Sequence, residues 1–377
     1  MSNASMQNNS GPYRFLFSAG GTGGHIFPAI SVADALKEKY PNSEFLFIGA
    51  KDRMEMEKVP AAGYEIVGLN ISGIARKASF KLLIWPFKLI GSLIQAMKVI
   101  RKFKPNMALG FGGFASGPAI YMASLLGVKS IIQEQNSYAG ITNRILSGKV
   151  EKICVAYDNM DQFFPSGKVV KTGNPVRKDI AFFKDYHEEG LSHFELDASF
   201  PVLFVFGGSQ GALAINEAIY ANLDDLLSAN FQIVWQCGRT FFPRAQKLIE
   251  ERNLSNRIKA FEFILDMEKA YQAADIIVAR AGAISISELC LVGKPVVFVP
   301  LPSAAEDHQT KNAMALVEKD AALMVKNSEA KEKLGENILK IKNDPDLSLR
   351  LSQSIRELGI NNATDLILKE VDKILAV

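Results

Sequence analysis

Short apolar runs alternate with helix-length stretches along almost the whole chain, and this alternation restricts the fold more than any other feature. The runs YRFLFSA, EFLFIGA, EIVGLN, MALGFG, KSIIQE, KICVAY and KVVKTG form a first set, and PVLFVFG, QIVWQCG, IKAFEFI, DIIVARA and PVVFVPLP a second. Their apolar residues are consecutive rather than alternate, the pattern of strands covered on both faces of a parallel sheet. Stretches such as IFPAISVADALKEKY and AINEAIYANLDDLLSAN lie between them with helical character. The expected class is α/β with doubly wound parallel sheets.

At 377 residues the chain exceeds the size at which one core keeps growing, so two domains are expected. The first set ends at KTGNPVR, a charged stretch KDIAFFKDYHEEGLSHFELDASFP interrupts the pattern, and PVLFVFGGSQGA restarts it. The boundary is placed near residue 176, giving residues 12–176 and 177–360, with a strandless helical tail to 377. The net charge of +3 is too small to point to a partner. Cys154, Cys237 and Cys290 sit in apolar runs without C-x-x-C spacing, which favours buried thiols over a metal or disulfide site. The opening MSNASMQNNSG lacks the charged and apolar regions of a secretory signal.

Each half begins with a strand, a glycine loop and a helix: FLFSAGGTGGH and LFVFGGSQGA. A third loop, GFGGFASGP, follows another strand. Glycine turns let backbone N–H groups approach an anion at a helix start, although strand-to-helix turns also need glycine for purely conformational reasons. Gly20, Gly21, Gly23 and Gly24, then Gly112, Gly113 and Ser116, then Gly207, Gly208, Ser209 and Gly211 are the candidates. There is no GxxxxGK[ST], which excludes a P-loop, and the place of the third glycine of G-x-G-x-x-G is taken by Ile26, which disfavours a dinucleotide.

ARAGAISISELC places Ser285 and Glu288 at capping-box spacing. Its position after a strand offers a second reading, since a carboxylate there suits the hydroxyls of a ribose. LPSAAEDHQTKNA sets His308, Gln309 and Asn312 in another post-strand turn, and amides suit hydroxyl-rich ligands because they both donate and accept. A sugar nucleotide fits this set better than a free phosphate.

Between Glu65 and Glu134 there is no acidic residue but nine lysines and arginines, eight of them from Arg76 to Lys104. Lys81, Leu82, Trp85, Phe87 and Lys88 open an apolar and basic stretch too interrupted to span a bilayer. It is read either as a helix lying on an anionic membrane surface or as a helix packed on the sheet with solvated lysines. Nucleic acid is disfavoured by the continuous apolar content.

Together GGTGGHIFPA, GFGGFASGP, EQNSYAGITN, TGNPVR, FGGSQGA, ARAGAISISE and HQTKNA resemble, in order and over nearly the whole chain, the MurG family of bacterial glycosyltransferases. The resemblance implies a GT-B fold, two Rossmann-like domains facing across a cleft, with the last helix returning to the N-terminal domain. It implies transfer of N-acetylglucosamine from UDP-N-acetylglucosamine to lipid I, making lipid II, by a peripheral protein of the cytoplasmic face of the inner membrane. No cofactor and no metal are implied, and the only D-x-D, Asp344 to Asp346, reads as a turn and helix cap.

Carried over by motif, Thr22, Gly23, Gly24, Asn136 and Arg177 contact the donor. Ser209 meets its diphosphate, backbone at Ile264 its uracil, and Ala283, Ile284, Ser285, Ile286, Ser287 and Glu288 its ribose and sugar. Gln309 and Asn312 complete that set. Gly21, Gly112, Gly113 and Ser116 are assigned to the acceptor diphosphate. Inverting attack by the acceptor hydroxyl needs a base, for which His25 is first choice and Glu134 second, each with a loop-bracing alternative. Gln133 departs from the histidine expected in its motif, and His308 stands where some members carry glutamine. Rival readings are a GT-B transferase with a soluble acceptor, a nucleotide-binding regulator, and a sugar-nucleotide epimerase.

Overall fold

In a computed structural model of the chain, the described residues are 12–71, 80–208 and 210–376, without the side chains of 80–85. They divide into two compact units. The first comprises residues up to Gln135, Ala139–Pro175 and Asn362 onward; the second comprises Asn136–Tyr138 and Val176–Asn361.

The sheet of the first unit contains β1 (Arg14–Ser18), β2 (Glu44–Ala50), β3 (Glu65–Leu69), β4 (Met107–Gly110), β5 (Lys129–Glu134), β6 (Lys152–Val155) and β7 (Val169–Lys171). Their order is β3-β2-β1-β4-β5-β6-β7, and every pair is parallel. The chain winds outward from β1 in one direction and from β4 in the other. The switch point between them, where Ser18 pairs with Gly110, opens a crevice at the carboxyl ends of both strands. Phe15, Phe17, Phe47 and Leu109 are almost wholly buried on one face.

The C-terminal helix Ala363–Leu375 belongs to this unit. Ile367, Leu368, Val371 and Ile374 pack against the helix Gly23–Lys39 and the aromatic face of the sheet. Burying four such side chains stabilises by roughly 6–12 kcal/mol gross. Tyr40 donates to Asp372 at 2.6 Å, and Lys39 pairs with the same carboxylate.

The second unit repeats the plan with β8 (Val202–Phe206), β9 (Gln232–Gln236), β10 (Ile258–Phe261), β11 (Ile276–Ala279), β12 (Val296–Phe298) and β13 (Leu323–Met324). Their order is β10-β9-β8-β11-β12-β13, again all parallel, with the switch point between β8 and β11. Asp344 caps the helix Pro345–Glu357 by accepting from the N–H of Leu347 at 2.9 Å.

From Phe80 the basic stretch forms the helix Phe80–Phe103, while Arg76 and Lys77 lie outside the described residues. Ala96 and Ile100 are buried, and Leu89, Val99 and Phe103 pack on the core, while Phe87, Ile90 and Ile94 point outward at helical spacing. Lys98 and Arg101 continue that outward line. No helix among the described residues is long and apolar enough to cross a membrane. The three cysteines are free and buried, and burial pushes the thiols of Cys154 and Cys290 up to about 12 and that of Cys237 up to about 11.

Candidate functional site

In the first unit the two glycine loops after β1 and β4 touch at the switch point. A Cβ on Gly113 would lie 2.2 Å from the carbonyl oxygen of Gly20, so only glycine lets the loops close together. The helix after β1 begins at Gly23, with Thr22 as its N-cap residue. Gly23 and Gly24 are therefore first-turn residues whose N–H groups lack an intrahelical acceptor by position. The amide of Gly21 donates instead to Oε2 of Glu55 at 3.0 Å, while Oε1 takes the Ala50 amide at 2.9 Å. Glu55 is fully buried, and it fastens the loop after β1 to the end of β2.

His25 stands over the second loop, because a Cβ on Gly112 would lie 3.1 Å from its Nε2. Its Nδ1 is 2.8 Å from the carbonyl oxygen of Gly20. A carbonyl only accepts, so Nδ1 carries a proton, which in the neutral ring leaves the lone pair on Nε2. Ser116 is buried, with Oγ 2.8 Å from the carbonyl oxygens of both Ser18 and Gly112. Gly21 and Ser116 thus have partners within the fold, and Gly112 is covered by the His25 ring. Glu134 is buried and accepts from the Gly140 amide at 3.0 Å and from Asn143 at 2.8 Å. Gln133 lies in a buried amide network, donating to Asn174 at 2.8 Å and accepting from Gln135.

In the second unit the loop after β8 leans on the loop after β9. A Cβ on Gly211 would lie 2.1 Å from the carbonyl oxygen of Cys237. Gln236 donates to the Gly208 carbonyl at 3.1 Å and accepts from the Ile264 amide at 2.8 Å, tying the glycine loop to that segment. Between the loops after β8, β11 and β12 is a cavity of about 670 Å³, bounded by Gly207, Gly208, Arg280, Gly282, Ser285 and Gln309 among others. Two helices, Leu213–Ala221 and Ala283–Val292, begin beside it.

The capping-box reading of Ser285 and Glu288 is corrected here. The N-cap residue is Gly282 and no side chain caps the helix, so Ser285 is its third residue. Glu288 turns instead to Arg177 Nε at 3.3 Å and to the Tyr271 hydroxyl at 3.0 Å. Burial raises the Glu288 carboxyl above its ordinary value, against the pull of Arg177 and Tyr271. Burial lowers the Arg177 guanidinium, but Glu288 and Asp179 hold it above its ordinary value.

Asn312, almost wholly buried, donates to Asn136 at 3.1 Å and accepts from the Ser137 amide at 2.9 Å. These bonds place Asn136–Tyr138 with the second unit, inside a range the sequence boundary gave to the first. Gln309 accepts from the Leu301 amide at 2.9 Å, and His308 pairs with Glu306 at 3.4 Å. Ala283 and Ile284 open their helix and are partly exposed. Ile286 turns into the core, and Ser287 donates to the Ala283 carbonyl at 3.1 Å. Ser209 and the side chains of Lys81, Leu82 and Trp85 lie outside the described residues; Phe87 and Lys88 are exposed. Sequence reasoning missed Glu55, Tyr271 and Arg280, none of which stands in a spacing with chemical meaning of its own. Among the described residues no group of three or more His, Cys, Asp or Glu side chains is placed to hold a metal ion.

Residues 15–155 match the glycosyltransferase family 28 N-terminal domain, and residues 202–367 match the family 28 C-terminal domain. The UDP-N-acetylglucosamine–N-acetylmuramyl-(pentapeptide) pyrophosphoryl-undecaprenol N-acetylglucosamine transferase of Cytophaga hutchinsonii is 50% identical over 364 residues, covering 97% of each chain. The protein of the same name from Flavobacterium psychrophilum is 47% identical, over 96% of this chain and 98% of its own. The crystal structure of Acinetobacter baumannii MurG superposes with a TM-score of 0.79 at 30% identity, covering 96% of this chain and 100% of that one. The paired parallel sheets are those of the GT-B fold, and the chain belongs to the MurG family within glycosyltransferase family 28.

Proposed function

We propose that the chain transfers N-acetylglucosamine from UDP-N-acetylglucosamine to lipid I, the undecaprenyl-diphosphate-linked N-acetylmuramyl-pentapeptide, and so makes lipid II. The observation that carries this reading is 50% identity along 97% of both chains to a transferase named for that donor and acceptor. The cavity of the second unit supports it, since its volume suits a nucleotide sugar and its glycine loop and helix starts suit a diphosphate.

The donor is assigned to the second unit and the lipid-linked acceptor to the first. The acceptor 4-hydroxyl attacks the anomeric carbon in line, the bond to UDP breaks, and configuration inverts. The hydroxyl proton passes to Nε2 of His25, the nitrogen that the Gly20 carbonyl leaves basic. Charge on the departing UDP is met by N–H groups at the two helix starts and by Arg177, so the step proceeds without a metal. Thr22, Gly23 and Gly24 stay assigned to the donor, and Gly21, Gly112, Gly113 and Ser116 to the acceptor diphosphate. Glu288 is assigned to the ribose, and Gln309 to the sugar.

The outward Phe87, Ile90 and Ile94, continued by Lys98 and Arg101, suit an anionic membrane surface. Ile90→Ser with Ile94→Ser is expected to lower binding to vesicles containing anionic lipid by about tenfold. Unchanged binding removes the helix from that role.

The test of the reaction is UDP release from UDP-N-acetylglucosamine with and without a lipid I analogue, in excess EDTA. Release that needs the acceptor and survives the chelator is the expected result. Release without acceptor points to hydrolysis or epimerisation. No release by protein that binds UDP overturns the acceptor, and loss of release in EDTA overturns metal independence.

A further inference from the structure

Glu55 opens the helix Glu55–Ala61 and is fully buried beside the carboxyl ends of β1 and β2. Two glycines make room for it. A Cβ on Gly20 would lie 2.2 Å from its Oε1, and a Cβ on Gly49 would lie 2.5 Å from its Cγ. A carboxylate withdrawn from water is costly unless its oxygens are bonded, and here both accept an N–H.

One of those bonds is half of a longer connection. The N–H of Gly21 and the carbonyl of Gly20 are the two ends of a single peptide group, and in a trans peptide they point to opposite sides. Glu55 takes the N–H at 3.0 Å, and Nδ1 of His25 donates to the carbonyl at 2.8 Å. The hydroxyl of Thr22 is farther from Nδ1, at 3.4 Å. A buried carboxylate, a peptide and an imidazole therefore stand in series. Hydrogen bonds in series polarise one another, so negative charge on the N–H side makes the carbonyl a stronger acceptor. A stronger acceptor keeps the proton on Nδ1 and stabilises the imidazolium. A carboxylate that touches a histidine directly has the same two effects.

Of the charged groups on the surrounding elements, Lys51, Asp52, Arg53, Glu57 and Glu65 are exposed, and Lys58 pairs with Glu57 at 2.8 Å. Glu55 is the carboxylate turned toward this peptide. We propose that Glu55 is a positioning residue for His25: through the Gly20–Gly21 peptide it holds the imidazole with Nδ1 protonated and strengthens Nε2 as a proton acceptor. Its effect on rate rests on the reading of His25 as the base; the connection itself does not.

The test is NMR on the full chain carrying isotope-labelled histidine and on its Glu55→Gln variant, with thermal unfolding of each recorded in parallel. The His25 signal is assigned by its absence from His25→Gln. In the unsubstituted protein the neutral ring is expected as the Nδ1–H tautomer. In Glu55→Gln the titration midpoint of His25 is expected to fall by about half a unit to one unit, because a charge that favours the imidazolium is gone. His187, His193 and His308 are expected to move by less than about 0.2 unit. An Nε2–H tautomer in the parent, or an unchanged midpoint in a folded variant, overturns the proposal and leaves Glu55 a brace.

A second measurement does not depend on that variant folding. The amide resonance of Gly21 in the unsubstituted protein, followed against pH, is expected to step at the His25 midpoint and to lose the step in His25→Gln. The absence of a step overturns the proposal. With UDP-N-acetylglucosamine and a lipid I analogue, Glu55→Gln is expected to lower kcat by about tenfold, keep KM for the donor within about twofold, and move the acid limb of kcat to lower pH. If the midpoint of His25 falls while kcat and its acid limb stay as in the parent, the connection holds and the assignment of His25 as base is what fails.

Discussion

The two switch points of this molecule share a topology and differ in what fills it. In the first unit the loops after β1 and β4 close on each other, braced by Glu55 beneath and Ser116 between, with His25 laid over Gly112. In the second unit the glycine loop leans on the loop after β9 and bounds, with the loops after β11 and β12, a cavity of about 670 Å³. Side-chain bracing accounts for the difference. A fully buried carboxylate takes the Gly21 N–H, whereas Arg280 lines the cavity of the second unit. The first loop pair is thereby filled by its own side chains, and the second leaves room beside its glycine loop.

The sharpest way to break this contrast is at the imidazole. If His25 takes the acceptor proton, His25→Ala lowers kcat by about 10²- to 10⁴-fold while UDP affinity stays within about twofold. A loss below tenfold in kcat returns the residue to a bracing role. Glu55→Gln comes next. It leaves one of the two N–H groups without an acceptor and removes charge from both bonds, at a cost of about 2–4 kcal/mol in unfolding of the full chain. UDP binding is expected to change by less than about threefold, because the residue braces only the first unit. Comparable losses in both quantities would show that the two loop systems are not independent.

How much of this was legible before the coordinates differs by level. The parallel sheets were, because most runs from YRFLFSA to PVVFVPLP carry consecutive apolar residues, although the edge strands β3 and β7 are only partly buried. The exception is β13, whose two residues, Leu323–Met324, are too few to carry a pattern. Asp344 was legible as a cap because aspartate before proline has that local meaning. For Ser285 and Glu288 only the capping-box alternative failed, because S-x-x-E spacing also occurs inside a helix and Gly282 starts this one. Glu55 was hidden among Asp52 and Glu57 in one charged stretch; only tertiary structure selects which carboxylate goes inside. Arg177 with Glu288 and Asn136 with Asn312 are 111 and 176 positions apart, so no local rule could pair them. They entered the reading side by side only through the family resemblance.

The smallest expected effect probes the second unit through Tyr271, a fully buried ring whose hydroxyl donates to Glu288. Tyr271→Phe keeps the packing and removes one bond that favours the carboxylate. The groups acting on Glu288 are Arg177 and Tyr271, which favour its charged form, and Asp179, which opposes it. Because burial raises the Glu288 carboxyl, the folded chain binds more protons than the unfolded chain between the ordinary and the raised values. Its contribution to stability is therefore full below the ordinary carboxylate range and is lost as pH rises through the raised value; Glu288→Gln flattens that slope. Tyr271→Phe pushes the carboxyl higher still. If ionised Glu288 accepts from the ribose hydroxyls, the acid limb of KM for UDP-N-acetylglucosamine then moves to higher pH. KM itself rises by about three- to tenfold near neutrality with kcat nearly unchanged. A variant that loses stability but keeps the parent's acid limb would show that Glu288 serves only to hold Arg177 and the helix of Ala283, and the ribose would need another acceptor.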